Sequence, residues 1–177
     1  MSKLKLLLLL LVPLLLLQGC AAVVATGAVT GVAVAHDRRS TGAVIDDQGI
    51  EYNISNSLYA NKALYEQSHI NILSYDGVVL LTGETPNEAF KQEVTDRAKA
   101  VAKVKRIHNE LVVAEPSALS SRSNDTWITS KIKTNLSTDP DIDPFYIKVV
   151  TERGVVYLLG IVDQTEADNA VNIAVQS

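Results

Sequence analysis

The apolar positions of this chain change period along its length, and each change marks an element. Ile50, Ile54 and Leu58 recur every fourth residue, as do Ile128, Ile132 and Leu136. That spacing places each trio on one stripe of a short amphipathic helix. Downstream of each trio the pattern switches to strand-like runs, with Ile70, Ile72 and Leu73 in the first case and Ile147, Val149 and Val150 in the second. The strands that return, Val78–Leu81 and Val155–Leu159, are apolar on consecutive residues, which predicts strands covered on both faces at least in part. A helical period then resumes with Phe90, Val94, Ala98 and Val101, and again with Ala167, Ala170, Val171, Ala174 and Val175. Val104 to Val113 reads as a closing strand.

Polar punctuation supports this division. Ser123 or Asn124 is placed to cap the helix of Ile128. Asp76-Gly77 is a tight-hairpin dipeptide, whereas Glu152-Arg153-Gly154 reads as a looser turn with glycine supplying positive φ. In Thr85-Pro86-Asn87-Glu88, Thr85 is placed as a cap, Pro86 suits a first turn and Glu88 completes a capping box. Asp163-Gln164-Thr165-Glu166 occupies the same place in the second half.

The two halves are copies. Gly77-Val78-Val79-Leu80-Leu81-Thr82-Gly83 returns 77 residues later as Gly154-Val155-Val156-Tyr157-Leu158-Leu159-Gly160, and the helical trios correspond at an offset of 78. The fold class is therefore α+β: two tandem α-β-β-α-β units, each two helices on a small mixed sheet. The same offset puts the last strand of the second unit near residues 181–190, beyond Ser177, so the second unit is expected to lack its final strand and to expose a sheet edge.

The amino terminus has its own logic. Lys3 and Lys5 precede an apolar run, Leu6 to Leu17, interrupted only by Pro13. The run is shorter than the roughly 20 residues a spanning helix needs and has the charge order of a signal peptide. Leu17-Gln18-Gly19-Cys20 resembles the lipobox of bacterial lipoproteins. It implies cleavage before Cys20, a diacylglyceryl group on its thiol and acylation of the new amino terminus. Cys20 is the single cysteine, so no disulfide competes for it. Ala21 stands where an aspartate often signals inner-membrane retention, so the resemblance points to the outer membrane, with the protein anchored on its periplasmic side. Ala21 to Ala35 is small and apolar, with Gly27 and Gly31 in GxxxG spacing. A membrane-associated segment or close helix contact and a supple tether both fit, although fifteen residues are too few to span. The expected organisation is signal peptide 1–19, anchor and tether 20–46, first unit 47–113, Pro/Ser linker 114–124 and second unit 125–177. The linker leaves open whether the units pack together.

A lipobox ahead of two such units resembles the BON-domain family. The resemblance rests on Gly77/Gly83 and Gly154/Gly160 with their apolar strands, on Val104-Lys105-Arg106-Ile107-His108-Asn109-Glu110-Leu111, and on Asn124-Asp125-Thr126-Trp127-Ile128-Thr129. It implies attachment to phospholipid surfaces and a role in envelope integrity and cell division, and it implies no cofactor.

Charge and chemistry narrow the function. Removing residues 1–19 takes Lys3 and Lys5 away, leaving 14 basic against 20 acidic side chains and a net charge of −6. Such a chain without a basic run is unsuited to nucleic acid. Three histidines, His36, His69 and His108, show no spacing of a triad or metal site, and no phosphate-binding glycine loop occurs. His69 aligns with Tyr146 and reads as structural. Asp139-Pro140-Asp141-Ile142-Asp143-Pro144 has the carboxylates of a calcium loop but not its central glycine or terminal glutamate; a rigid connection fits better. These observations argue against an enzyme.

Two function classes remain: a module binding anionic phospholipid, and an adaptor for an envelope protein partner. The candidate lipid-binding residues are Trp127, Lys131 and Thr134. With Trp127 at 0° on a helix of about 100° per residue, Ile128, Ile132 and Leu136 fall near roughly 100°, 140° and 180°, Lys131 near 40° and Thr134 near 340°. An indole beside an ammonium on an outward face suits a membrane interface. An indole covering the helix start, or packed on the first unit, is the competing reading. At an offset of 78 the first unit has Gly49 for Trp127, Asn53 for Lys131 and Ser55 for Lys133.

Overall fold

Ile50, Ile54 and Leu58 line the inner side of α1 (Thr41–Tyr59), which the Ser40 hydroxyl caps by accepting from the Ala43 N–H at 3.1 Å. The structure is a computed structural model that describes residues 37–177; Cys20 and the 21–35 tether lie outside the described residues. After α1 comes a short α2 (Lys62–Gln67), held by fully buried Leu64. Then β1 (His69–Tyr75) pairs antiparallel with β2 (Val78–Thr85). The chain crosses through α3 (Glu88–Lys99) to β3 (Arg106–Asn109) and β4 (Val112–Val113), both parallel to β2. The second copy follows as α4 (Leu119–Thr138), a 3-10 turn at Pro144–Tyr146, β5 (Ile147–Glu152) antiparallel to β6 (Val155–Gly160), and α5 (Gln164–Gln176). The α+β class and the tandem units are as the sequence pattern requires. Among the described residues the second sheet has two strands where the first has four.

Each unit has its own core. Ile50, Ile54, Leu58, Leu64, Val79, Leu81, Val94, Ala98 and Leu111 form the first. Ile132, Leu136, Ile142, Ile147, Val149 and Ala170 form the smaller second, with Ile128 packed against it. Burying an isoleucine or leucine side chain contributes about 1.5–3 kcal/mol, so the first unit is the better supplied. β2 is buried over nearly all its length, as its consecutive apolar residues predict, whereas β6 is half-exposed.

Several local expectations are corrected. Thr85 is not a cap: it is fully buried in β2, and Asn87 caps α3 by accepting from Phe90 N–H at 2.9 Å. The reciprocal capping box occurs in the second unit, between Asp163 and Glu166. Neither Ser123 nor Asn124 caps α4, because helix begins at Leu119, inside the stretch read as linker, and has no side-chain cap. The closing strand is broken into β3 and β4. The Asn109 side chain takes the Leu111 N–H at 3.0 Å and Leu111 turns into the core, which removes it from the ladder. On α5, Val171 and Val175 point outward (52 % and 80 % exposed), because Ala170, Ile173 and Ala174 form the face that meets the core.

The hairpin turns are alike, contrary to the looser second turn expected. Asp76-Gly77 has φ of 49° and 75°, and Arg153-Gly154 has 53° and 74°. Positive φ at both central residues is the geometry matched to a twisted two-residue hairpin. A buried aspartate from the preceding helix explains how a non-glycine residue holds it. Asp47 accepts from Asp76 N–H at 2.7 Å and Gly77 N–H at 2.8 Å. Asp125 accepts from Arg153 N–H at 2.9 Å and Gly154 N–H at 2.8 Å.

Candidate functional site

The outward face of α4 carries Trp127, Lys131 and Thr134, all exposed. Ile132 and Leu136 are drawn inward to the second core, which turns the residues near 0° on the helix toward solvent. Trp127 is 61 % exposed, and the Lys131 ammonium lies 5.3 Å from its ring centroid, within reach of the ring's negative face. The ammonium also donates to the Ser177 carbonyl, which engages one of its three donors. Thr134 lies nearly two turns along the same face and donates its hydroxyl to the Ser130 carbonyl at 2.9 Å. Ser123, Thr126 and Ser130 make the same bond one turn back. These hydroxyls therefore spend their protons on the helix and present lone pairs outward. At the place of Trp127 in the first unit stands Gly49, whose surroundings are open.

The second notable region is the seam where the two units pack. Arg38 donates to both oxygens of Glu166 at 2.7 Å and lies 4.1 Å from the Tyr146 ring centroid, while its neighbour Arg39 pairs with Asp47 at 2.7 Å and lies 3.9 Å from the Tyr75 ring centroid. The Tyr75 hydroxyl donates to the Tyr146 carbonyl at 3.2 Å. Consecutive arginines thus hold one unit each at the start of the folded region.

Further along the seam, Arg153 donates to Glu84 Oε1 at 3.0 Å and Asn71 donates to Glu152 Oε2 at 2.5 Å. His69 Nδ1 is 3.2 Å from Glu84 Oε2 and 3.9 Å from Glu152 Oε1. Burial pushes the Glu84 carboxyl up, but hydrogen bonds led by Arg153 outweigh it and hold it below the usual carboxylate range. For Glu152 burial wins, and its carboxyl is pushed up. The residues of the calcium-like stretch serve its turns instead: Asp139 accepts from Asp141 N–H at 2.9 Å and Asp143 from Phe145 N–H at 3.0 Å. His108 is exposed on β3.

A BON domain is matched twice along the chain, over residues 46–115 and 124–176. The chain belongs to the BON-domain family. It is 37 % identical over 174 residues to the outer membrane lipoprotein DolP of Haemophilus influenzae, covering 98 % of this chain and 90 % of that protein. A 21 kDa hemolysin of Actinobacillus pleuropneumoniae is 33 % identical over 78 % of this chain and 71 % of its own length. Osmotically-inducible protein Y of Escherichia coli is 30 % identical over 81 % and 73 % respectively. With the near full-length likeness to the first of these, this BON protein is an outer-membrane lipoprotein. Among the described residues no helix is long and apolar enough to cross a membrane.

The α4 face was accessible to helical-wheel reasoning. The seam was not, since His69, Glu84 and Glu152 are scattered through the sequence. Asp47 and Asp125 did leave a signal: each lies three residues before the first apolar residue of its helix trio, on the same stripe, at the repeat offset of 78.

Proposed function

We propose that this BON lipoprotein is a non-enzymatic module, anchored through lipid on Cys20, whose second unit engages anionic phospholipid headgroups through Trp127, Lys131 and Thr134. The observation that carries the reading is a tryptophan more than half exposed, with an ammonium over its ring, on a helix face whose counterpart in the first unit bears glycine and asparagine. Facing water, the indole leaves most of its apolar ring unburied. At headgroup depth its ring is buried and the neighbouring ammonium meets phosphate. Lys131 adds about 1 kcal/mol beside an anionic surface, about fivefold in affinity, and salt screens it.

The test uses the chain from residue 20 onward with Cys20→Ala, so that no acyl chain holds it to vesicles. Binding to phosphatidylglycerol vesicles is expected to fall roughly tenfold in Trp127→Ala and by more than about fivefold, in a salt-dependent manner, in Lys131→Glu, which reverses the charge, with the melting temperature little changed. Vesicle binding unaltered by Trp127→Ala, or tryptophan fluorescence that does not shift when vesicles are added, would move the adaptor reading ahead. In cells, Cys20→Ala in the full chain is expected to leave the protein unprocessed or soluble. Wild-type recovery of a processed form in the outer membrane would refute the anchor.

A further inference from the structure

The buried polar groups at the seam are not all satisfied. Glu152 is 6 % exposed, and its Oε1 is buried without a hydrogen-bond partner, while its Oε2 is held by Asn71. A buried carboxylate oxygen with no hydrogen-bond partner is destabilising in a low-dielectric setting, so its surroundings call for a ligand. Facing it are Glu84 Oε2, on a fully buried side chain whose other oxygen is held by Arg153, and His69 Nδ1. One oxygen of each glutamate is thus fixed by an outer partner and the other is turned inward, the arrangement by which outer hydrogen bonds orient metal ligands. The three inward atoms lie within 4.8 Å of one another, and among the described residues no other such group of three histidine, cysteine or carboxylate residues occurs.

We propose that His69, Glu84 and Glu152 bind a divalent first-row transition-metal ion, for which zinc is the probe, and that the ion bridges the two BON units. Zinc takes nitrogen and carboxylate ligands at about 2.0–2.2 Å, so tetrahedral neighbours lie about 3.3–3.5 Å apart. His69 Nδ1 to Glu84 Oε2 is already 3.2 Å, and His69 Nδ1 to Glu152 Oε1 is 3.9 Å. Side-chain adjustments of about an ångström complete the geometry. An imidazole with two carboxylates suits zinc and its neighbours rather than calcium or magnesium, which prefer oxygen alone. Access is provided, because His69 is 21 % exposed and lines, with Asn71, Thr126, Thr129 and Glu152, a groove of about 380 Å³ that has room for a water as fourth ligand.

The scaffold explains the convergence. His69 and Glu84 are directly opposite each other on β1 and β2, and Glu152 closes β5 of the other unit. The repeat is an internal control: at an offset of 77 the three positions are Tyr146, Ile161 and Tyr75. The fold alone therefore does not require ligands there; the set exists once, where the copies diverge and meet.

The full chain, purified in detergent and stripped with chelator, is titrated with zinc chloride by calorimetry and by melting. One zinc per chain at micromolar affinity or tighter is expected, with a raised melting temperature and no response to magnesium or calcium. His69→Gln and Glu152→Gln are each expected to weaken zinc binding 10- to 100-fold. Glu152→Gln keeps the shape and removes the charge, so its metal-free melt stays within a few degrees of the parent. His108→Gln is expected to bind zinc as the parent does. Cobalt substitution gives a visible absorption band that His69→Gln abolishes. The proposal is overturned if the chain takes up no zinc at micromolar concentration, or if His69→Gln and Glu152→Gln bind it as tightly as the parent.

Discussion

Asp47→Ala is expected to lower the melting temperature by about 10–20 °C, corresponding to about 3–5 kcal/mol for breaking a buried ion pair. Asp47 is 3 % exposed and gathers four partners: Arg39, the Ser74 hydroxyl at 2.6 Å, and the N–H groups of Asp76 and Gly77. Alanine removes the carboxylate that Arg39 pairs with and leaves the two turn donors without their acceptor. Asn at this position does not rescue, because its amide nitrogen faces donors. The second unit provides the comparison. Asp125 makes the same two turn bonds, but the place of Arg39 is taken by Ser117 and that of Ser74 by Thr151, which bonds Thr129 instead. Asp125→Ala is therefore expected to cost only about 1–3 kcal/mol. The acid limb of stability follows from the same group. Burial raises the Asp47 carboxyl, but hydrogen bonds from Ser74, Gly77, Asp76 and Arg39 outweigh it and hold it below the usual range. A carboxyl depressed in the folded state stabilises above the pKa of the unfolded chain, about 4 for aspartate, and the contribution is lost as pH falls below that. Thermal melts between pH 7 and pH 3 are expected to fall less steeply in Asp47→Ala than in the parent. Equal slopes, or a loss under 1 kcal/mol at pH 7, would remove Asp47 from this role.

The contrast between Asp47 and the α4 face shows what the sequence could reveal. Helix periods alone oriented Ile50, Ile54 and Leu58 toward the first core, and Ile132 and Leu136 toward the second. Paired glycines at a fixed offset marked the hairpins, and those local rules defined both units. The wrong details arise where a side chain competes with the backbone pattern. Asn109 takes a ladder N–H and splits the closing strand, Asn87 takes the cap expected of Thr85, and two aspartates impose one turn geometry on different turn sequences. On α5, five small apolar residues leave the wheel ambiguous, and the side that meets the core is Ala170, Ile173 and Ala174, with Val171 and Val175 turned outward. The seam is a different kind of omission. Arg38, Glu84 and Glu152 look like ordinary surface charges in sequence, and they gain meaning only because the two copies pack with these positions facing each other.

Gly83→Ala is expected to be comparable to the loss of Asp47, at about 2–6 kcal/mol, because two costs combine. At φ +112° Gly83 holds a backbone conformation that side chains rarely adopt, which costs about 1–3 kcal/mol. A Cβ there would also collide with the His69 carbonyl oxygen of β1, and backbone cannot rotate aside as a side chain can; forced displacement adds about 1–3 kcal/mol. The repeat supports this reading, since a Cβ on Gly160 would meet the Tyr146 carbonyl oxygen at 2.5 Å, and Tyr146 is the counterpart of His69. The conserved spacing between the copies is thus a close approach of one strand's start to the next strand's bend. Gly154→Ala separates the two costs: its φ is +74°, yet nothing lies within 4 Å of the added carbon, so about 1 kcal/mol is expected there. The collision at Gly83 displaces His69 relative to Glu84, since Ile70 is paired with Gly83 and His69 with Glu84. Gly83→Ala is accordingly expected to weaken zinc binding even at temperatures where the chain remains folded, whereas Gly154→Ala leaves binding nearer the parent. Denaturant melts together with zinc titrations of the two variants check both halves of the argument. If Gly83→Ala melts like Gly154→Ala, the close approach does not control β2.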